Sequence, residues 1–278
     1  MRTPGVPVVL VHGWKSHPRI WNRLIQQFKE TDVEYWNFDH AVLSDAPLGE
    51  VSAALGGFIA LQREEWGYTG AVDMVCHSMG GSIARYLIEV LDGRRREESV
   101  RQVIEIGSPN HGSAMAELFN DPEHGPAILQ QLAGVFVPPH YDPSMDPIVQ
   151  DFRPRSRAMH LLRDAGLRGD ITYRMILSGN PTATPALFPC FKGRTWELSP
   201  EGAWRMTFAG DGIVPHSECF LPGVGTDILP TDPASLSEAP DRYCHIHLPR
   251  NPEVIQRVLK YLGNPSPQPC SCDPEITH

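Results

Sequence analysis

Residues 75–81 read Val75-Cys76-His77-Ser78-Met79-Gly80-Gly81, directly after an apolar run and directly before a helical pattern. A serine in a tight strand-to-helix turn has its hydroxyl lifted clear of the sheet, where it can act as a nucleophile. Its neighbours two before and two after must be small. Gly80 meets this demand, and Cys76 stands where glycine is usual. The stretch therefore predicts a nucleophile at Ser78, with a helix N-cap serine as the alternative interpretation.

Strand-like and helix-like patterns alternate on both sides of this turn. Short apolar runs predict strands over 8–11, 33–38, 71–76, 101–106 and 171–177. Apolar residues at 3.6 spacing predict helices over 18–28, 51–66, 80–91 and 252–263, the last capped by Asn251. This alternation predicts an α/β fold, with a mostly parallel central sheet and helices on both of its faces.

Two segments interrupt the alternation. Residues 114–168 hold many prolines and an apolar helix-like piece, and we expect them to form an inserted lid or cap. Residues 181–208 are expected to be a second irregular insertion, and 264–278 a Pro-rich C-terminal tail. We therefore expect one catalytic domain over 1–263 rather than two domains.

Acidic residues outnumber basic residues 33 to 24, which gives a net charge of -9. Such a chain repels phosphate backbones unless it has a local basic patch. The dense basic run Arg94-Arg95-Arg96 is followed directly by two glutamates. Nucleic acid is therefore not expected as a partner.

Neither a transmembrane segment nor a signal peptide is visible in the sequence. We expect a cytoplasmic protein by default, or a secreted one if a signal was removed before residue 1. The six cysteines are too sparse for a disulfide scaffold. Cys190 and Cys219 flank one irregular region, and the sequence leaves open whether they pair or stay free. Cys270 and Cys272 have no second pair to complete a zinc site.

A nucleophilic serine needs a base, and the base needs an orienting acid. The expected chain order is serine, acid, histidine. Asp211, between two glycines, is the preferred acid, and His245, shortly before the last helix, is the preferred base. Weaker candidates for these two roles are Asp170, Asp227, Asp232, Asp241, His247 and His216. The loop Leu10-Val11-His12-Gly13-Trp14 follows the first strand, where backbone amides can face a developing oxyanion.

These motifs together resemble the α/β-hydrolases of the bacterial lipase and esterase group, whose serine turn reads Ala-His-Ser-Met-Gly-Gly. The matching segments are the His-Gly loop, the serine turn, residues 107–113 and the closing Asp and His loops. The resemblance covers about residues 5–263, although 114–168 and 181–208 match only in length and position. It implies oxyanion donors at the backbone N–H groups of Trp14 and Met79, and it supports His245 as the base.

The resemblance further implies acyl transfer to water, with no metal or organic cofactor. We expect a small-molecule or lipid ester as substrate, short to medium acyl chains rather than charged esters, and transient contact with a lipid interface. Candidate substrate-binding residues are Trp14, His77, Leu132, Val135 and Phe136, although the apolar ones among 128–136 could equally serve as plain core. The same triad would also serve an acyltransferase, a phospholipase, a thioesterase or a polyester hydrolase. A non-catalytic ligand-binding protein of this fold is the alternative of a different class.

Overall fold

The computed structural model describes residues 5–263, and a six-stranded sheet forms its centre. The strands of the chain are β1 (Val8–Val11), β2 (Tyr35–Phe38), β3 (Val72–His77), β4 (Val100–Ile106), β5 (Thr172–Ser178), β6 (Thr195–Leu198), β7 (Trp204–Thr207) and β8 (Gly225–Leu229). The central sheet has the order β2-β1-β3-β4-β5-β8, and every neighbouring pair in it is parallel. Strands β6 and β7 form a separate antiparallel pair.

The helices surround this sheet. They are α1 (Asn22–Thr31), α2 (Leu48–Trp66), α3 (Met79–Arg85), α4 (Ala114–Phe119), α5 (Gly125–Leu132), α6 (Pro147–Asp151), α7 (Arg157–Ala165), α8 (His216–Cys219), α9 (Ser235–Glu238) and α10 (Pro252–Gly263). A wider helical turn, Tyr86–Leu91, continues α3, and a 3₁₀ turn, His245–Arg250, precedes α10. Helices α1 and α10 contact this 3₁₀ turn, while α2, α3 and α7 contact the turn at 86–91.

The central strands are rich in apolar residues because both faces of the sheet are covered. All of β1 and β3 is buried, including every residue of Val8–Val11. Parallel strands covered on both sides read as continuous apolar runs rather than as alternating patterns. Their carboxyl ends meet at one edge of the sheet, which is the edge where α/β proteins place their sites.

Several sequence predictions need correction. The segment 181–208, expected to be irregular, contains β6 and β7. Strand β8 was not predicted. The second strand begins at Tyr35 rather than residue 33, because the N–H of Val33 still donates to the carbonyl of Phe28 at the end of α1. The pairing of Cys190 and Cys219, which the sequence leaves open, is resolved by the structure, in which both are free thiols.

Other features agree with the sequence predictions or add detail to them. Asn251 caps α10, since its Oδ1 accepts from the N–H of Glu253 at 2.8 Å. Four helices, α4 to α7, occupy the segment 114–168. In the part of the chain that the structure describes, no helix is long and apolar enough to cross a membrane. The predicted tail 264–278, with Cys270 and Cys272, lies outside the described residues.

Candidate active site

Ser78 lies at the turn between β3 and α3, in a backbone conformation that non-glycine residues rarely adopt. Its φ is 54° and its ψ is −128°. Such conformations persist only where the surroundings enforce them. Here the N–H of Ser78 donates to the carbonyl of Ile106 at 2.9 Å. A side chain at Gly80 would meet the backbone at the end of β1, with its Cβ 2.8 Å from the carbonyl oxygen of His12, the residue after the strand. The turn therefore has no room to relax.

Ser78, His245 and Asp211 form a continuous hydrogen-bonded series. The hydroxyl of Ser78 lies 2.8 Å from Nε2 of His245, and Nδ1 of His245 lies 2.7 Å from Oδ2 of Asp211. The other carboxylate oxygen of Asp211 accepts from the N–H groups of Ile213 and Val214 at 3.1 and 2.8 Å. Asp211 is only 2% exposed, so its orientation is fixed by these bonds.

The weaker candidates for acid and base make other contacts. Nδ1 of His247 lies 2.9 Å from the carbonyl of Asp241, and Nε2 of His216 lies 2.9 Å from the carbonyl of Ser178. The remaining acids are engaged elsewhere: Asp170 pairs with Arg168, Asp227 accepts from Tyr261, and Asp232 accepts from the N–H of Ala234.

The loop after β1 lies in direct contact with the serine turn. A Cβ at Gly13 would lie 2.9 Å from Cβ of Ser78, so the loop backbone is in close contact with the serine turn. Trp14, Met79, Ser78 and His245 line one cavity. Between residues 5 and 263, no backbone hydrogen bond uses the N–H of Trp14 or Met79.

Asp146, which the sequence analysis did not single out, attaches this loop to the segment 114–168. Its Oδ2 accepts from the indole N–H of Trp14 at 3.2 Å and from the hydroxyl of Tyr141 at 3.0 Å. Nζ of Lys15 lies 3.2 Å from the same oxygen. The Trp14 ring also packs against the rings of Phe119, Phe136 and Tyr141. The half-buried indole N–H, which favours an acceptor, was the only signal in the sequence for Asp146.

An open cavity of about 330 Å³ leads to Ser78. About half of its apolar lining residues belong to the segment 114–168, among them Phe119, Val135, Phe136, Ile148, Val149 and Phe152, and the rest come from other parts of the chain, such as Ile213, Val214 and Ile246. Trp14, Val135 and Phe136 therefore lie where substrate contact was expected. Leu132 does not, because it is 0% exposed and packs in the core.

His77, also a candidate for substrate contact, is a buried support of His245. Its Nε2–H donates to the carbonyl oxygen of His245 at 3.0 Å, and the two ring centroids lie 4.8 Å apart. Burial holds the pKa of His77 well below its usual range, so the ring is neutral. Only 5% of the residue is exposed, at the base of the cavity.

A buried polar network lies behind the serine turn and was also missed. Glu105 of β4 accepts from Nδ2 of Asn110 at 2.6 Å, and Oδ1 of Asn110 accepts from Arg85 at 3.1 Å. Arg85 makes two bonds to Glu89, at 2.9 and 2.8 Å. Burial raises the pKa of Glu105 to about 7, against the opposing effect of the Arg85 charge. In the sequence, a glutamate among the apolar residues of β4 could have indicated this buried network.

No three His, Cys, Asp or Glu side chains within residues 5–263 cluster so that they could hold a metal ion.

Comparison with known proteins supports the fold. Residues 2–129 match the model of a family described as a domain of unknown function, DUF7379. No curated protein sequence matches the chain. Among solved structures, the mature lipase BlEst2 of Bacillus licheniformis has a TM-score of 0.62 and 19% identity, over 93% of this chain and 92% of that one.

Two longer proteins are also similar. Aspergillus fumigatus lipase B has a TM-score of 0.57 at 15% identity, with 95% of this chain and 54% of that chain covered. Phospholipase PlaB of Legionella pneumophila has a TM-score of 0.57 at 14% identity, with 94% and 60% covered. At these identities the likeness concerns the fold, and the fold class predicted from the sequence is confirmed.

Proposed function

We propose that this chain, which has the α/β-hydrolase fold, is a serine hydrolase that cleaves carboxylic esters through an acyl-enzyme intermediate. The observation that carries the proposal is the series of two short contacts, 2.8 Å from Ser78 Oγ to His245 Nε2 and 2.7 Å from His245 Nδ1 to Asp211 Oδ2. A nucleophile, a base and an orienting acid within hydrogen-bond distance are the arrangement that acyl transfer requires.

In the proposed mechanism, His245 takes the proton of Ser78 as the serine oxygen attacks the ester carbonyl. The N–H groups of Trp14 and Met79 stabilise the oxyanion that develops, a contribution that is usually large. His245 then gives the proton to the departing alcohol. Water, activated by the same histidine, hydrolyses the acyl-enzyme. Asp211 holds the imidazole in the required tautomer and stabilises its protonated form.

We further propose that residues 1–263 act as one catalytic domain in which the segment 114–168 covers the site and binds the acyl chain. Support comes from the apolar side chains that this segment contributes to the cavity, such as Phe119 and Phe152. Burial of apolar surface contributes roughly 0.8 kcal/mol per methylene. A cavity of about 330 Å³ favours short to medium acyl chains.

The test is labelling with a fluorophosphonate probe together with hydrolysis of p-nitrophenyl esters from acetate to palmitate. We expect the wild type and Ser237→Ala to be labelled and active, since Ser237 is exposed and lies outside the cavity lining. We expect Ser78→Ala to be neither labelled nor active. A folded wild type that is not labelled would refute the nucleophile and favour a non-catalytic, ligand-binding protein.

A further inference from the structure

The cavity at Ser78 is lined by basic groups and by no carboxylate. Its titratable lining residues within the described part of the chain are Lys15, His17, His77, His245, His247 and Arg250. In a chain with 33 acidic and 24 basic residues, a lining without any Asp or Glu departs from the overall composition. Cavities lined by one sign of charge attract ligands of the opposite sign.

Arg250 supplies the positive charge that no neighbour balances. Lys15 is paired with Asp146, at 3.2 Å, and is therefore largely compensated. Arg250 is exposed, and no ion pair within residues 5–263 involves it. A second cation is close by, because Arg23 donates to the carbonyl of Arg250 at 3.0 Å.

The segment 114–168 contributes eight apolar side chains to the cavity lining and none of its titratable residues. His247 and Arg250 belong to the 3₁₀ turn His245–Arg250, which begins with the proposed catalytic base. In acyl transfer the base protonates the departing oxygen, so the alcohol part of an ester lies beside the base. Of the basic lining residues, His247 and Arg250 are therefore the two that belong to the same turn as the base, next to the alcohol part of a bound ester.

We propose that the substrates of this site are esters of an apolar acid with an alcohol that carries a negative charge, a carboxylate or a phosphate, bound by Arg250. The inference rests on the proposed function. The apolar acyl group expected from the sequence is kept. For the alcohol part, however, a negative charge is now expected to favour binding, whereas the sequence predicted that charged esters would be poor substrates. The reaction is hydrolysis: the acyl C–O bond breaks, water supplies the hydroxyl of the acid, and the alcohol oxygen receives a proton.

The probes are two esters of the same size, 4-nitro-3-(butanoyloxy)benzoate, which is an anion, and its neutral carboxamide. Both release a nitrophenol that can be followed by absorbance. We expect the wild type to have the higher kcat/KM on the anion. The ratio of the two kcat/KM values should fall as sodium chloride is raised to 0.5 M, where the screening length is shortened to about 4 Å.

Arg250→Gln should lower this ratio by about 1.5- to fivefold, the range for an exposed ion pair. Arg250→Lys should keep most of the preference for the anionic ester. Arg94→Gln is the matched control, because it removes the same charge from an exposed arginine outside the cavity lining and should leave the ratio unchanged. Because the ratio compares two substrates on one protein sample, partial loss of folded enzyme cancels.

The outcomes separate this inference from the proposed function. Hydrolysis of neither ester by folded protein would refute the ester hydrolase itself. Hydrolysis of both with a ratio of one or below, or with a ratio that Arg250→Gln does not change, would refute the anionic alcohol and leave the ester hydrolase standing.

Discussion

Gly13→Ala is the most direct test of how closely the loop after β1 approaches the serine. The added methyl would lie 2.9 Å from Cβ of Ser78 and 3.3 Å from the carbonyl oxygen of His77. Carbon atoms pack favourably at about 3.5–4.0 Å, so the two backbones must separate by roughly 0.6 Å. The serine turn cannot give way, because Gly80 already packs directly against the backbone of β1. The loop that carries the N–H of Trp14 must therefore move.

The expected loss in kcat follows from this displacement. Misplacement of a catalytic group by about 1 Å costs on the order of 100-fold in rate. Complete loss of one oxyanion donor costs about 100- to 1000-fold, which sets the upper limit. A shift of roughly 0.6 Å should therefore lower kcat between about 10- and 100-fold.

The assay is hydrolysis of p-nitrophenyl butanoate, with thermal denaturation as a measure of folding. Gly57→Ala is the control: it is an exposed glycine inside α2 with no atom within 4 Å of the added methyl. It should keep the wild-type kcat and gain about 0.5–1 kcal/mol of stability. If Gly13→Ala keeps a kcat within twofold of the wild type at an unchanged Tm, the loop does not serve as the oxyanion site.

Three further changes test other parts of the site. Asp211→Asn should fold normally but lose on the order of 10⁴ in kcat, measured on the same ester, because the imidazole loses its orienting acceptor; retention of activity would exclude Asp211 as the acid. Phe136→Ala should enlarge the cavity and move the preferred p-nitrophenyl ester to a longer acyl chain, with each additional buried methylene raising kcat/KM about fourfold; an unchanged chain-length profile would contradict an acyl site there. Burial raises the pKa of Glu105 to about 7, so ionising this carboxyl costs folding free energy, and the wild type loses stability as the pH rises from about 4.5 to 7. Urea denaturation of Glu105→Gln should therefore show a gain of stability relative to the wild type that grows by about 3 kcal/mol between these pH values, whereas a constant difference would refute the raised pKa.

The central sheet could be predicted because its signals are local. Strand β1 is wholly apolar, β3 and β4 contain the buried apolar runs Met74-Val75-Cys76 and Val103-Ile104, and the serine turn is marked by a serine next to glycines. Strand β8 has no such signal, since this edge strand is largely exposed or half-buried and includes Gly225. The hairpin of β6 and β7 likewise has half-exposed residues, and its pairing is set by tertiary contacts rather than by periodicity.

The candidate site could be predicted for the residues that carry motifs and less so for those defined by packing. The series from Ser78 to Asp211 follows from chain order and short motifs, and the structure brings these residues together. Leu132 was misjudged because helical spacing identifies an apolar face without saying whether that face meets the core or the cavity. Asp146 was missed because its donors lie on separate parts of the chain.

The position of Asp146 has a consequence for the way this part of the molecule opens. One nearly buried carboxylate holds donors from the loop after β1 and from the segment 114–168, so separating the two leaves that charge without its partners. Because this free-energy cost arises whichever of the two moves, the loop after β1 and the segment 114–168 should open together as one cooperative unit. Amide hydrogen exchange should accordingly proceed at a common opening rate in residues 13–15 and 141–149.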